Sequence, residues 1–237
     1  MSDAYGENVD PLSEAQRRVR RSPLLFTAPL VLLGLLIALL AWETIRGNVT
    51  AGARTEWPWR LQLIDAQVLG SLLAVSAGAV LARAQYARTV RPYLGWRAAW
   101  TEGLLAERAA AWRVGILNGG QHMAVIESWE TKLVMKGVEG SDDAPWKSVS
   151  RTVAELTEAG FTVGRDFRLI GFGAGFPLVG AGGDHGTVLV GAFSELFVQR
   201  VQSLYVRVRV TDVVGDTHER VMDCLKGAWN DRAAPVA

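Results

Sequence analysis

Three histidines and one cysteine are the residues with the most chemistry to offer. His122, His185 and His218 stand singly along the chain, and Cys224 is its one cysteine. A zinc centre calls for paired Cys and His ligands at short spacing, which His218 and Cys224 alone do not supply. Asp184 next to His185 offers a base and an orienting acid, but no nucleophile-elbow pattern accompanies them. The run Gly171-Phe172-Gly173-Ala174-Gly175 has the glycine density of a phosphate loop, yet no Lys-Ser/Thr follows and Pro177 stands soon after. It reads as a turn or bulge between strands. No catalytic set, metal ligands or cofactor motif emerges, so the expectation is a non-enzyme without cofactors. An enzyme with an unrecognised site would need Asp184, His185 and His218 to converge on one cleft.

Tyr205, Arg207 and Arg209 form a small basic and aromatic strip on the wet side of a strand. Such a strip is a solvated sheet face or a surface for an unknown protein partner. Nucleic acid is not expected, because the net charge is only +1 and the isoelectric point is near 7.9, without a wider basic surplus.

The elements that must carry these residues fall into two classes. With 237 residues there is room for a membrane hairpin and one domain, and not for two full domains. The mean hydropathy of +0.15 is high for a soluble chain, and the excess is concentrated in the first third. Residues 24–43 give a first transmembrane helix, uncharged up to Glu43, whose length at 1.5 Å per residue covers roughly 30 Å of hydrocarbon. A cleaved signal peptide would have a shorter apolar region and a small-x-small site, whereas Trp42, Glu43 and Thr44 follow here. Residues 62–90 give a second transmembrane helix with a helical extension. Along it Ala66, Gly70, Ala74, Gly78 and Ala82 recur at every fourth position, a stripe of small residues suited to helix packing in lipid, against Gly34 and Ala38 of the first helix or in a homo-oligomer.

Arginine placement sets the expected orientation. Arg17, Arg18, Arg20 and Arg21 precede the first helix, and Arg83, Arg88, Arg91 and Arg97 follow the second, against Arg46, Arg54 and Arg60 between them. The expectation is a two-pass protein of the inner or plasma membrane with both termini cytoplasmic. Residues 1–23 are then a disordered basic tail, and 44–61 an extracytoplasmic loop with Trp57 and Trp59 at the outer interface.

Residues 91–228 are expected to form a cytoplasmic, mainly antiparallel β-sandwich with one or two inserted helices, followed by a disordered tail at 229–237. The whole is a membrane protein of α+β class. In 203–211, Leu204, Val206, Val208 and Val210 alternate with Tyr205, Arg207, Arg209 and Thr211, which predicts a strand with one buried face. Further strands are predicted at 94–100, 112–117, 125–135, 166–172, 187–193 and 217–225. A helix is predicted from Pro145 in its first turn, through Val149, Val153 and Leu156, to a stop at Gly160; residues 101–111 suit helix or strand.

The run Arg91-Pro92-Tyr93, followed by Asn118-Gly119-Gly120 and then Ala124, resembles an uncharacterised group of bacterial membrane-anchored proteins that join one or two N-terminal transmembrane helices to an immunoglobulin-like sandwich. Gln121-His122-Met123 departs from that group's pattern, and the Gly182-Gly183 turn and the 210–215 hairpin are similar to it in character. The resemblance implies a fold and no activity. The function expected is display of the sandwich for protein interaction or sensing. The alternative is a membrane-acting effector or immunity factor, of host or phage origin, whose hairpin oligomerises.

Overall fold

The computed structural model describes residues 14–20, 23–138, 144–180 and 186–230, without the side chains of 23–26 and 66. The chain is α+β and divides into two compact units. Arg21–Thr89 is one; the residues up to Arg20 and those from Val90 onward make the other.

The helical unit is a pair of helices, α1 (Pro23–Asn48) and α2 (Ala66–Thr89), packed on each other. Both are long and apolar enough to cross a membrane. The helix pair begins where expected, but α1 continues past Glu43 to Asn48, and residues expected at the start of α2 belong to the connecting loop. The contact runs through Pro29, Leu33, Leu36, Leu40 and Glu43 on α1 and through Leu69, Leu73, Ser76, Val80 and Arg83 on α2. Steps alternating between three and four residues hold each seam to one side, as in a left-handed coiled coil.

The small-residue stripe is not that seam. Ala74, Gly78 and Ala82 are exposed, Gly70 is half-buried, and a Cβ added at Gly34, Gly70 or Gly78 would meet nothing within 4 Å. Ala66 has no described side chain. The reason is angular: steps of four residues advance by about 40° each, so the stripe winds around the helix and leaves the contact line.

The second unit holds two antiparallel sheets around one core. The first sheet has strands β2 (Leu94–Thr101), β3 (Ala111–Asn118), β5 (Phe167–Leu169) and β7 (Thr187–Ser194), in the order β2-β3-β7-β5. The second has β1 (Arg17–Arg20), β4 (Ala124–Met135), β6 (Pro177–Leu178), β8 (Val201–Thr211) and β9 (Thr217–Asp223), in the order β1-β9-β8-β4-β6. Leu204, Val206, Val208 and Val210 of β8 point inward as their alternation requires, against Ile126, Trp129, Val114, Ile116 and Phe193. At one end Phe161, Phe167, Phe193 and Phe197 pack ring on ring with centroids 4.9–6.5 Å apart. Each such pair contributes about 0.5–1.5 kcal/mol beyond its burial.

Helix α3 (Val149–Glu158) is capped by Ser148 and ended by Gly160, whose φ of 87° only glycine adopts freely. The Phe161 and Gly160 amides return to Leu156 and Thr157, the bonding of a Schellman end. Pro145 lies ahead of this helix and not in its first turn. Residues 101–111 hold one turn of 3-10 helix, Ala106–Arg108, stopped by the left-handed Glu107 and Arg108. The short α4 (Glu195–Arg200), capped by Ser194, joins β7 to β8.

The expected disordered tail requires the largest correction. Within residues 1–23, Arg17–Arg20 is a strand paired antiparallel with β9, with Arg17 opposite Glu219 and Arg20 opposite Thr217. A four-residue edge strand is invisible to periodicity, and its partner lies at the other end of the chain. The remaining tail at 1–13, Arg21, and residues 231–237 lie outside the described residues.

Candidate functional site on the five-stranded sheet

Alternation along β8 places Tyr205, Arg207 and Arg209 on the outer face of the five-stranded sheet, as the sequence predicts. Neighbouring strands decide what that face offers. Glu130 of β4 stands opposite Arg207 and accepts from its Nε and Nη2 at 2.9 and 2.6 Å. The Arg207 guanidinium also lies 4.4 Å from the centroid of the Trp146 ring. Arg209 donates to Glu219 Oε2 at 2.6 Å. The other carboxylate oxygen, Oε1, accepts from Arg17 Nε at 2.8 Å and Nη2 at 2.5 Å.

Glu219 is therefore a buried carboxylate bracketed by two arginines. Burial works to raise its pKa, but the hydrogen bonds from Arg209 and Arg17 outweigh it and hold the carboxyl below its ordinary value. The strip is consequently not a free basic patch. Each arginine has an acidic partner, which leaves Tyr205, between Lys132 and Asp223 in register, as its neutral member. The strip was legible from β8 alone; Glu130 and Glu219 were not, because cross-strand register does not appear in a single strand's pattern.

The basic residues expected to flank the membrane separate in the same way. Arg17, Arg18 and Arg20 belong to β1, and Arg18 reaches Asp216 at 3.3 Å. Arg83 is half-buried in the helical seam, and Arg88 is exposed in the last turn of α2. Arg91 lies 5.9 Å from the centroid of the Tyr93 ring.

His218 faces inward from β9 and is 2% exposed. Its Nε2 is 2.9 Å from Asp212 Oδ2, while Asp212 Oδ1 accepts from the Val214 and Asp216 amides at 3.0 and 2.9 Å. The pair holds the β8–β9 turn. Cys224 lies six residues further on, roughly 20 Å along an extended chain, so His218 and Cys224 do not meet. Burial and then the Asp223 charge push the Cys224 thiol far above its ordinary pKa, so it is not a reactive thiolate. Among the described residues no group of three or more His, Cys, Asp or Glu is placed to hold a metal. Asp184, His185, Gly182 and Gly183 lie outside the described residues.

The glycine-rich run 171–175 lies along β4. The Gly175 amide donates to Ile126 O and the Ile126 amide to Phe176 O, while Phe172 packs edge-on against Trp129 at 4.9 Å. The Gly175 amide is thus used in pairing with β4.

Arg91-Pro92-Tyr93 and Asn118-Gly119-Gly120 meet around one side chain. Asn118, 1% exposed, accepts from the Tyr93 and Gly120 amides at 3.2 and 3.0 Å and donates to His122 O and Leu178 O at 2.8 and 3.2 Å. A Cβ at Gly120 would lie 2.8 Å from Arg91 O, and one at Gly180 would lie 2.5 Å from Gly120 O. Gln16 completes the knot by donating to Pro92 O at 2.6 Å and accepting from the Leu94 amide at 2.9 Å. No protein-family model, curated protein or solved structure matches the chain.

Proposed function

We propose that the chain is a non-enzymatic two-pass membrane protein of the inner or plasma membrane, which holds its sandwich on the cytoplasmic side for protein interaction or sensing. One observation carries the topology. Strand β1 precedes α1, yet pairs with β9 of the unit that follows α2. A folded sandwich lies on one side of a bilayer, so the chain must cross an even number of times between Arg20 and Val90.

Composition supports the crossing. Leu30, Val31, Leu32, Leu35 and Ile37 of α1 and Val68, Leu72, Val75 and Leu81 of α2 are exposed around the pair, an apolar surface of the size that lipid covers. The arginine distribution supports the cytoplasmic side, with Arg20, Arg88 and Arg97 still exposed at the helix flanks. Three polar clusters have structural roles that support the non-enzymatic reading: Asp212 and His218 hold a turn, Asn118 holds a strand crossover, and Glu219 pairs with two arginines. The resemblance to bacterial membrane-anchored immunoglobulin-like proteins fits this reading, since residues that carry it, Arg91-Pro92-Tyr93 and Asn118-Gly119-Gly120, meet in the Asn118 knot.

Thiol labelling of intact cells tests it. Cysteines introduced at Arg97 and Glu102 should resist an impermeant maleimide until the membrane is opened, whereas labelling from outside would reverse the orientation. For interaction, capture in detergent by the intact protein is compared with a variant in which a flexible linker replaces residues 21–89. Such a variant keeps β1, and equal capture assigns binding to the sandwich.

The effector reading is favoured by one observation: Ala74, Gly78 and Ala82 of the stripe are exposed, with open space over Gly70 and Gly78. It predicts toxicity on overexpression that Gly70→Leu or Gly78→Leu abolishes.

A further inference from the structure

The loop joining the two helices, residues 49–65, satisfies much of its backbone from within. Glu43 accepts from the Leu63 amide at 2.8 Å and pairs with Arg46 at 3.0 Å. Arg46 Nε donates to Trp59 O at 2.8 Å, and the Trp42 indole donates to Leu61 O at 3.3 Å. Arg54 donates to Val49 O at 2.9 Å and to Gly47 O, and Thr55 Oγ1 to Gly52 O at 2.7 Å. The rings of Trp42 and Trp59 stack at 5.3 Å with 13° between planes. Trp59 is thereby half-buried against Trp42.

Four large apolar side chains face outward. Trp57 is 82% exposed, Leu61 51%, Leu63 52% and Ile64 36%. Glu56, Arg60 and Asp65 are exposed beside them. Arginines and an indole meet carbonyls of the loop and of the end of α1, while a tryptophan and three aliphatic residues are displayed among exposed charges, a mixture that the headgroup–acyl boundary accommodates. Aromatic rings with a polar edge partition to that boundary. The patch is also continuous with Val68, Leu72 and Val75 of α2, which are exposed on the same helix pair.

We propose that this tip is seated in the headgroup–acyl boundary of the bilayer, with Trp57, Leu61 and Leu63 toward the acyl chains and Glu56, Arg60 and Asp65 toward the headgroups. The hairpin then ends as a lipid-embedded cap and presents no water-borne loop to an external partner. This rests on the two-pass reading.

Spin labels test both. The full-length protein is placed in phosphatidylcholine vesicles with a label at Trp57→Cys, Leu61→Cys or Val75→Cys, each in turn, with buried Cys224 as unlabelled background. Collision with dissolved oxygen, which favours lipid, is compared with collision with a water-soluble nickel chelate. The expected result is a deep Val75 label and shallow Trp57 and Leu61 labels, all shielded several-fold from nickel relative to a label at Glu102. If Val75 is shielded while Trp57 and Leu61 match Glu102, the lipid-seated tip is wrong and the two-pass reading stands. If Val75 also matches Glu102, both are wrong.

Discussion

Arg17 Nη2 lies 2.5 Å from Glu219 Oε1, although the two residues are 202 positions apart. The contact joins a residue ahead of α1 to a strand near the end of the chain. With Arg209 on the second oxygen, Glu219 is left without water and with two cations.

Arg17→Ala should lower the stability of the sandwich by about 1–2 kcal/mol, since one charged hydrogen-bond pair is lost while the exposed guanidinium discounts its worth. Glu219→Ala should cost more, because it leaves Arg209 without its acceptor and opens a buried space. Denaturant unfolding of the full-length protein in detergent reads both. Equal stability of Arg17→Ala and the parent would mean that β1 is not held by this pair.

Acid should weaken the same contact. Glu219 has a folded pKa below its ordinary 4.5, so its contribution is fully present above that value and is lost as pH falls through the folded one. Asp223 acts oppositely: burial raises its pKa, so its ionised form is disfavoured and protonation on acidification favours the folded state. Between pH values of about 5 and 3, Glu219→Gln should therefore show a shallower loss of stability than the parent, and Asp223→Asn a steeper one. Unfolding midpoints across that window check the signs.

Asn118→Ala should be among the most damaging single changes, at about 2–4 kcal/mol, because it leaves buried amides and carbonyls unpaired. Gly180→Ala should also destabilise, since its Cβ would meet backbone oxygens of Gly120 and Gln121 at 2.5 and 2.6 Å. Gly173→Ala, with nothing within 4 Å, is the matched control and should be close to neutral. Thermal unfolding of the three variants separates a specific knot from a general intolerance of glycine replacement.

In the helix pair, Leu69→Ala should loosen packing, as Leu69 is fully buried, whereas Gly70→Leu should leave the pair intact. If the pair spans a bilayer as proposed, the cost of Leu69→Ala should be about 1–2 kcal/mol, since the lost term there is packing and not water exclusion. Cross-linking between cysteines placed on α1 and α2 reads this. Loss of the α1–α2 cross-link in Gly70→Leu would restore the stripe to the seam.

What could be read from the sequence was what repeats locally. The uncharged run of 24–42, the alternation of 204–210 and the Gly160 stop each lie within one element, and each element stands close to its expected place. What could not be read depends on partners distant in sequence. Arg17–Arg20 carries no period of its own and is a strand only because β9 lies beside it. Arg207 and Arg209 look like a cationic surface until Glu130 and Glu219 arrive in register. The stripe at 66–82 satisfies a rule for lipid packing, but larger residues at alternating three- and four-residue steps, from Leu33 and Leu36 to Leu69 and Leu73, supply the seam. Asn118 is recognisable only in part: an Asn-Gly-Gly run signals a turn, while its bond to Leu178 comes from a strand too short to announce itself.

The pairing of β1 with β9 also imposes an order of events during synthesis. Residues 17–20 are polymerised some 200 residues ahead of their partners on β9, roughly 10–40 s at ordinary elongation rates. For the later part of that interval α1 and α2 are complete, while the edge of the five-stranded sheet is open and Arg17 is without Glu219. Closure of this sheet edge thus waits for β9, and a ribosome that stalls before residue 217 leaves the hairpin made and the sandwich unsealed.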